Sequence, residues 1–323
     1  MIELNGNEVT PDSFCFPVER VNALETHISR VFLTGKFVFK VKKTITWSLL
    51  DYSTLEKRKA YCEKENSLNQ EICPELYEGV VPVFADGGKA FFEKPARGKI
   101  VDYAVKMKEM PRQSLLSERL RNGTAEEKSF VQLAGLLARF HARAATSPTI
   151  KEYGRPRKIR EILNGTLAVA SKLRKMDGQW LSQITRLTEG RESPFEKRVE
   201  RVRECHGDCH AGNVFAHEGT VFLFDRLECD EWRLGDTARD VALTATDLDF
   251  NKHASHRKAF LKTYSEESSD ETLETVLPFY CSYYAFVRGM VNDQKASGLA
   301  DVDEANVARE TADSYYELAA DYF

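Results

Sequence analysis

Residues 206–213 read His-Gly-Asp-Cys-His-Ala-Gly-Asn, and twelve positions further on Asp225 closes the apolar run Val-Phe-Leu-Phe at 221–224. The string sets one carboxylate, one amide and a second carboxylate on two neighbouring turns. A carboxylate can orient a hydroxyl and accept its proton, while an amide oxygen and a second carboxylate are the hard oxygen donors that magnesium prefers. Phosphoryl transfer needs those groups, because the metal neutralises charge on the nucleotide phosphates. Asp-x-x-x-x-Asn is the spacing at which a kinase catalytic loop presents its base together with a metal ligand. Alone it would say little; the His-Gly before it, the Gly before Asn213 and the strand-terminal Asp225 make the pattern specific. Cys205, His206, Cys209 and His210 are also zinc-ligand types, but no second ligand pair follows at finger-like separation, so zinc is not the expectation.

These residues must be held by a framework, and the chain alternates between two kinds. In the first third, β-rich runs at 28–33 and 37–41 flank the turn Thr34-Gly35. A polar helix is expected over 53–72, opened by a Ser53-to-Glu56 capping box. Strands at 80–84 and 90–93 flank Asp86-Gly87-Gly88, and another is expected at 101–107. Beyond Pro111 the pattern turns helical. Phe130, Leu133, Leu136, Leu137 and Phe140 recur at three- and four-residue spacing within 125–145. The charged stretch 158–203 should be two or three helices, broken at Asp177-Gly178 and Gly190, and 236–323 is helical with aromatics at 279–286. The fold class expected is α+β: a small β-rich part over 1–110 and a larger, mainly helical part over 111–323.

With its His-Gly-Asp-x-His-x-Gly-Asn loop, the sequence resembles the aminoglycoside phosphotransferase-like branch of the protein-kinase-like fold. Leu137-Ala-Arg-Phe-His141 looks like that family's helix ending in Leu-His, and Gly235-Asp236-Thr-Ala-Arg-Asp240 looks like its Gly-Asp-x-Ala-x-Asp segment. The likeness is closer to a bacterial subgroup, through Glu25–Ser29, Val31–Gly35, Ser53–Arg58, Pro74–Pro82 and Arg203–Asp208. In that subgroup a P-loop ATP-binding domain often follows; no Gly-x-x-x-x-Gly-Lys-Ser/Thr motif occurs in these 323 residues. The resemblance spans roughly residues 20–290 and implies a bilobal protein-kinase-like fold, with an N-lobe over 1–110 that binds nucleotide and a C-lobe over 111–323 that carries catalysis and the acceptor.

Carried over residue by residue, the resemblance implies Asp208 as catalytic base and Asn213 and Asp225 as ligands of Mg²⁺. It implies Lys40 as the strand lysine on the phosphates of ATP and Glu65 as its helix partner. Lys42 shares a strand face with Lys40, and Glu63 shares a helix with Glu65, so both remain alternatives. Adenine would lie near Met107. No glycine-rich loop precedes Lys40; Thr26, His27 and Ser29 are the polar residues in its place. The Asp225 segment continues Arg-Leu-Glu rather than Phe-Gly, which suits a rigid loop. Asp236 and Asp240 read as structural ties to the catalytic loop. Arg288 and Glu228 are the acceptor candidates.

The reaction implied is transfer of the γ-phosphoryl group of ATP to a hydroxyl of a small molecule such as an aminoglycoside, sugar or amino alcohol. The alternative is a pseudokinase-type nucleotide-binding or interaction module without turnover. A protein acceptor is disfavoured by the lack of an Ala-Pro-Glu segment, and nucleotidyl transfer would use the same metal ligands. The net charge is −4, which provides no global attraction for nucleic acid or an anionic membrane. Residues 204–250 hold eleven acidic residues against three Arg, so the acid is concentrated around the candidate site. No basic-then-apolar leader opens the chain and the seven cysteines form no Cys-x-x-Cys pair, so a cytoplasmic protein with free thiols is expected.

Overall fold

The computed structural model describes residues 2–46, 50–93, 98–174, 178–188 and 193–323. The chain divides into two compact units. The first comprises Met1–Ser114 with Phe222–Asp230, and the second Leu115–Val221 with Glu231–Phe323.

The first unit is built on an eight-stranded sheet. Its strands are β1 (Glu3–Leu4), β2 (Asn7–Glu8), β3 (Asn22–Glu25), β4 (Ser29–Leu33), β5 (Phe37–Lys42), β6 (Tyr77–Asp86), β7 (Lys89–Phe92) and β8 (Lys99–Lys108). They lie in the order β1-β2-β7-β6-β8-β5-β4-β3. β1, β2 and β3 were not anticipated: the first two have two residues each, and every residue of β3 is exposed, so none shows an apolar alternation. The β6–β7 turn places Gly87 at φ 56° and Gly88 at φ 77°, left-handed values that glycine adopts without a Cβ clash. Period-two alternation decides the faces of β5. Phe39 and Val41 enter an apolar core with Phe14, Phe32, Val83, Phe92 and Ala104. Lys40 and Lys42 therefore face the other way, where helix α1 (Leu55–Gln70) packs on β8 and β5. α1 begins one residue later than the Ser-x-x-Glu pattern suggests. The Thr54 hydroxyl accepts from Lys57 N, while Ser53 donates to Asp51 Oδ1 at 2.6 Å.

The second unit is mainly helical. Its longer helices are α2 (Glu127–Arg143), α3 (Pro156–Ala170), α4 (Gly178–Leu187), α5 (Ala238–Phe250), α6 (Ala254–Ser268), α7 (Leu277–Gly298) and α8 (Val302–Ala320). α2 buries Phe130, Leu133, Leu137 and Phe140 of the expected stripe, leaves Leu136 half-buried, and packs against α6. Of the expected breaks at Asp177-Gly178 and Gly190, Asp177 and Gly190 lie outside the described residues, and Gly178 opens α4. α5 is the central helix, buried throughout Ala238–Leu248, and packs against α7 and α6. Its interior position matters for the site, because polar residues on α5 are shielded from water and must bond within the protein. Strand β9 (Val202–Glu204) leads into the 206–213 loop and pairs with β12 (Leu234–Asp236), which leads into α5. Two further strands, β10 (Val214–His217) and β11 (Thr220–Leu223), follow the loop. Among the described residues no helix is long and apolar enough to cross a membrane.

Candidate active site

In the first unit five charged residues and a tyrosine form one network, buried except at Asp225. Lys40 Nζ stands 2.9 Å from Glu65 Oε1 and 2.5 Å from Asp225 Oδ1. Lys42 Nζ pairs with Glu65 Oε2 and with Glu228 Oε1 at 2.5 Å, and Tyr52 Oη donates to the same Glu228 oxygen at 2.7 Å. Burial alone would lower both lysine pKa values. For Lys40, Asp225 and Glu65 outweigh it, and for Lys42, Glu65 and Glu228 do, so both are raised and both lysines stay charged. Burial would likewise raise the Glu228 pKa, but Lys42 and Lys40 hold it far below the ordinary carboxylate range.

Both lysine candidates thus meet the same glutamate, and only Lys40 also reaches Asp225. Glu63, two residues from Glu65 on a 3.6-residue helix, turns to solvent, 3.6 Å from Lys59. Glu228 is buried between Lys42 and Tyr52. Its carboxylate has a partner set inside the first unit, and no acceptor role is carried forward for it.

The segment after Asp225 is held as firmly as its sequence suggested. Asn69 Oδ1 accepts from Arg226 N at 2.8 Å, and Asn69 Nδ2 donates to Arg226 O at 3.2 Å. The buried Arg226 guanidinium donates to Glu71 at 2.6 Å. Asp225 itself adopts φ 63°, a left-handed value that Asp tolerates better than most residues, and its amide donates to Tyr77 Oη at 3.1 Å. Its side chain is 34% exposed, with Oδ1 on Lys40.

The remaining first-unit candidates lie on loops and strand ends. Thr26 Oγ1 accepts from Ile28 N and Ser29 N and donates to Ser29 O, so this side chain organises the β3–β4 turn, the segment expected in place of a glycine-rich loop. His27 is exposed on that turn, and Ser29 is fully buried. Met107 is buried inside β8, paired with Val38 and Tyr77. Just beyond it, Glu109 Oε2 accepts from Thr34 N and Gly35 N at 2.9 and 2.7 Å, fixing the β4–β5 turn.

In the second unit the 206–213 loop hangs from one face of α5. Asp240 accepts from His206 N at 2.7 Å and Gly207 N at 2.9 Å. Thr244 donates to Cys209 O at 2.7 Å, and Asp247 Oδ2 accepts from Ala211 N at 2.8 Å. Spacings of four and three put these three side chains on one helical face. Asp240 is the tie expected from sequence; Thr244 and Asp247 were missed, although that spacing was there to be read. His141, at the end of α2, bonds Asp240 through Nε2 at 3.0 Å and Tyr264 Oη through Nδ1 at 2.8 Å. Asp236 has another role: it pairs with the buried Arg198 and caps Ala238 N. Among the described residues, His141, Cys205 and Asp240 are the group close enough to hold a metal, but the His141 nitrogens and the Asp240 carboxylate are already hydrogen-bonded. Asp240→Ala should cost about 3 kcal/mol of stability, since it strips two amides and a histidine of a charged acceptor in the interior. Urea unfolding checks this, and Asp240→Asn should retain part of the loss.

On this scaffold Asp208 and Asn213 face one another. Asn213 Nδ2 donates to Asp208 O and Asp208 Oδ2, both at 3.0 Å. With its nitrogen so placed, Asn213 Oδ1 is the end left for another ligand. His210 Nδ1 accepts from Gly212 N, which puts the ring proton on Nε2, 3.5 Å from Asp208 Oδ2. Partial burial would raise the Asp208 pKa, but His210, followed by Arg288 and His206, outweighs it and holds the carboxyl down at about 2. Asp208 is 36% exposed and ionised throughout the neutral range. His210→Gln should therefore move any acid limb of an Asp208-dependent activity upward, toward the ordinary carboxylate range; a pH–rate profile of both proteins checks it. Arg288, on α7, is the other acceptor candidate and stands 4.0 Å from Asp247 Oδ1.

Among solved structures, this chain is similar to a protein of Ralstonia eutropha described as an aminoglycoside phosphotransferase. The TM-score is 0.54 at 13% identity over 95% of this chain and 94% of that one. It is also similar to choline kinase of Cryptosporidium parvum, with a TM-score of 0.52 at 10% identity over 94% and 89%. At such identity the likeness shows the fold, which is protein-kinase-like and α+β as expected. Uncharacterized proteins of Mycobacterium tuberculosis and Mycobacterium bovis are 29% identical over 282 residues, covering 84% of this chain and 54% of theirs. The chain spans about half the length of the curated relatives it matches. Residues 98–279, more than half the chain and including the Asp208 loop, match the phosphotransferase enzyme (APH) family, and the chain belongs to that family.

Proposed function

We propose that the protein transfers the γ-phosphoryl group of ATP to a hydroxyl of a small molecule, with Asp208 as the base. The observation that carries this reading is the Asp208–Asn213 pair, aligned by direct hydrogen bonds on a loop tied at three points to a buried helix. A carboxylate held at about 2 is a weak base but a permanent hydrogen-bond acceptor. It orients the acceptor hydroxyl from the start and takes the proton late, once bonding to phosphorus has made the hydroxyl acidic, as a loose transition state requires.

In the first unit Lys40, fixed by Glu65, supplies the positive charge for the nucleotide phosphates. Adenine is read against the strand end at Met107, and Thr26, His27 and Ser29 form the turn over the phosphates, with His27 as its exposed side chain. Asn213 in the second unit and Asp225 in the first each offer the kind of donor magnesium takes. Asn213 Oδ1 is a neutral hard oxygen left open by the orientation of its amide, and Asp225 has a second carboxylate oxygen beside the one on Lys40. When bound, the ion neutralises charge on the phosphates. The domain roles follow: residues 1–110 serve the nucleotide, and 111–323 the acceptor and the base.

The reading without turnover, a nucleotide-binding module, draws on the β3–β4 turn, where two amides that a glycine-rich loop would offer to phosphate are taken by Thr26. An ATP-consumption screen over hydroxylated metabolites, amino alcohols and aminoglycosides separates the two. ADP formation with one class supports transfer; a nucleotide-dependent thermal shift with no ADP from any class supports the module.

A further inference from the structure

We infer that the hydroxyl acceptor is an anion, and that Arg288 receives its carboxylate or phosphate group. The inference rests on the phosphotransferase reading and adds the charge of the substrate to it.

Two buried guanidinium groups of the second unit are fully hydrogen-bonded. Arg198 donates to both oxygens of Asp236, to both of Asp270 and to Thr272. Arg239 donates from all three nitrogens, to Tyr284 Oη, Leu234 O and Trp232 O. Arg288 differs. Its Nε is buried and has no hydrogen-bond partner. Its one carboxylate neighbour among the described residues, Asp247 Oδ1, is 4.0 Å from an Nη and outside hydrogen-bond range. The guanidinium carbon lies 5.8 Å from the centre of the Tyr315 ring, and 30% of the side chain is exposed. With Nε enclosed, the exposed part of the group is its Nη end, whose N–H donors match a carboxylate or phosphate through two parallel hydrogen bonds.

Its location makes that fork useful to the reaction. Asp247, the carboxylate beside Arg288, is the one whose other oxygen holds Ala211 N in the Asp208 loop. Arg288 is thus one residue removed from the loop of the base, and its field helps keep Asp208 ionised. An anionic acceptor brought to an ionised aspartate is repelled unless a fixed cation stands near both, and Arg288 supplies one. The same cation penalises a positively charged acceptor. A hydroxyl compound held at its oxyanion end by Arg288 has its hydroxyl free to approach Asp208.

The test uses the full chain and four three- to five-carbon probes: D-glycerate, glycerol 3-phosphate, glycerol and choline. Each is titrated by thermal shift into wild type, Arg288→Gln and Arg288→Lys, with and without magnesium and a non-hydrolysable ATP analogue. One of the two anions should bind at least tenfold more tightly than glycerol and choline. Arg288→Gln should lose that margin at least tenfold, and Arg288→Lys, which keeps the charge but not the fork, should recover part of it. Preference for glycerate identifies a carboxylate, and for glycerol 3-phosphate a phosphate. The inference is overturned if neither anion binds, if glycerol or choline binds as well as the anions, or if Arg288→Gln keeps the preference. If Arg288→Gln does not fold, the loss measured in Arg288→Lys decides. The nucleotide analogue is scored separately: absence of its shift contradicts the phosphotransferase reading, while the anion titrations stand on their own.

Discussion

Asp208→Asn is expected to reduce kcat for phosphoryl transfer by about three orders of magnitude, while ATP affinity and melting temperature stay close to wild type. The substitution keeps shape and volume. The loop is hung by Asp240, Thr244 and Asp247 through backbone groups of residues 206–211, and none of these bonds involves the Asp208 side chain. An asparagine oxygen can still accept from Asn213 Nδ2. What is lost is the fixed negative charge that accepts the acceptor's hydrogen bond and finally its proton. Stopped-flow or steady-state kinetics, paired with a nucleotide titration, resolve the two quantities. An Asp208→Asn protein that turns over at the wild-type rate would sink the assignment of the base; one that melts early would show that the side chain has a structural task this account does not give it.

The second large effect belongs to Glu65. Its carboxylate is wholly buried and is shared between Lys40 and Lys42. Removing one partner from a buried ion pair leaves a charge uncompensated and costs about 3–5 kcal/mol. Glu65→Ala leaves two ammonium groups short of a partner, so the upper part of that range is expected, measured as the loss in urea-unfolding free energy. Lys42 retains Glu228 and Lys40 retains Asp225, which is why the protein should weaken rather than fail to fold. The nucleotide readout should move as well. With Glu65 gone, Lys40 is held only by Asp225, the proposed metal ligand, and the KM for ATP should rise. Glu63→Ala, which removes an exposed pair with Lys59, should change neither stability nor KM measurably. Equal effects of the two substitutions would contradict the geometry of α1.

The comparison of Lys40 with Lys42 and of Glu65 with Glu63 shows where sequence reasoning stops. A period-two strand places Lys40 and Lys42 on one face, so the pattern has no means of choosing between them, and the structure uses both in one network. Glu63 and Glu65 differ by some 200° around a helix, yet α1 has little apolar contrast to show which side is buried. Its buried residues include Arg58, Glu65 and Asn69. The residues of the 206–213 loop stand out in the sequence because their types, order and spacing carry chemistry independent of packing. Thr244, Asp247 and Tyr52 were not, because their importance lies in what they touch far along the chain. Glu228 illustrates the opposite error. Counted as one of eleven acidic residues, it looked available to a ligand; in the fold it is buried against Lys42 and Tyr52.

The central claim, phosphoryl transfer from ATP to a small hydroxyl compound, is tested most directly by phosphorus NMR of ATP, magnesium and a pooled hydroxyl-compound library incubated with wild type and with Asp208→Asn. Loss of the γ-phosphate resonance with growth of ADP and of a new phosphomonoester is expected with wild type and not with the variant. ATP left intact by wild type, or conversion to AMP-bearing products and pyrophosphate, would contradict it.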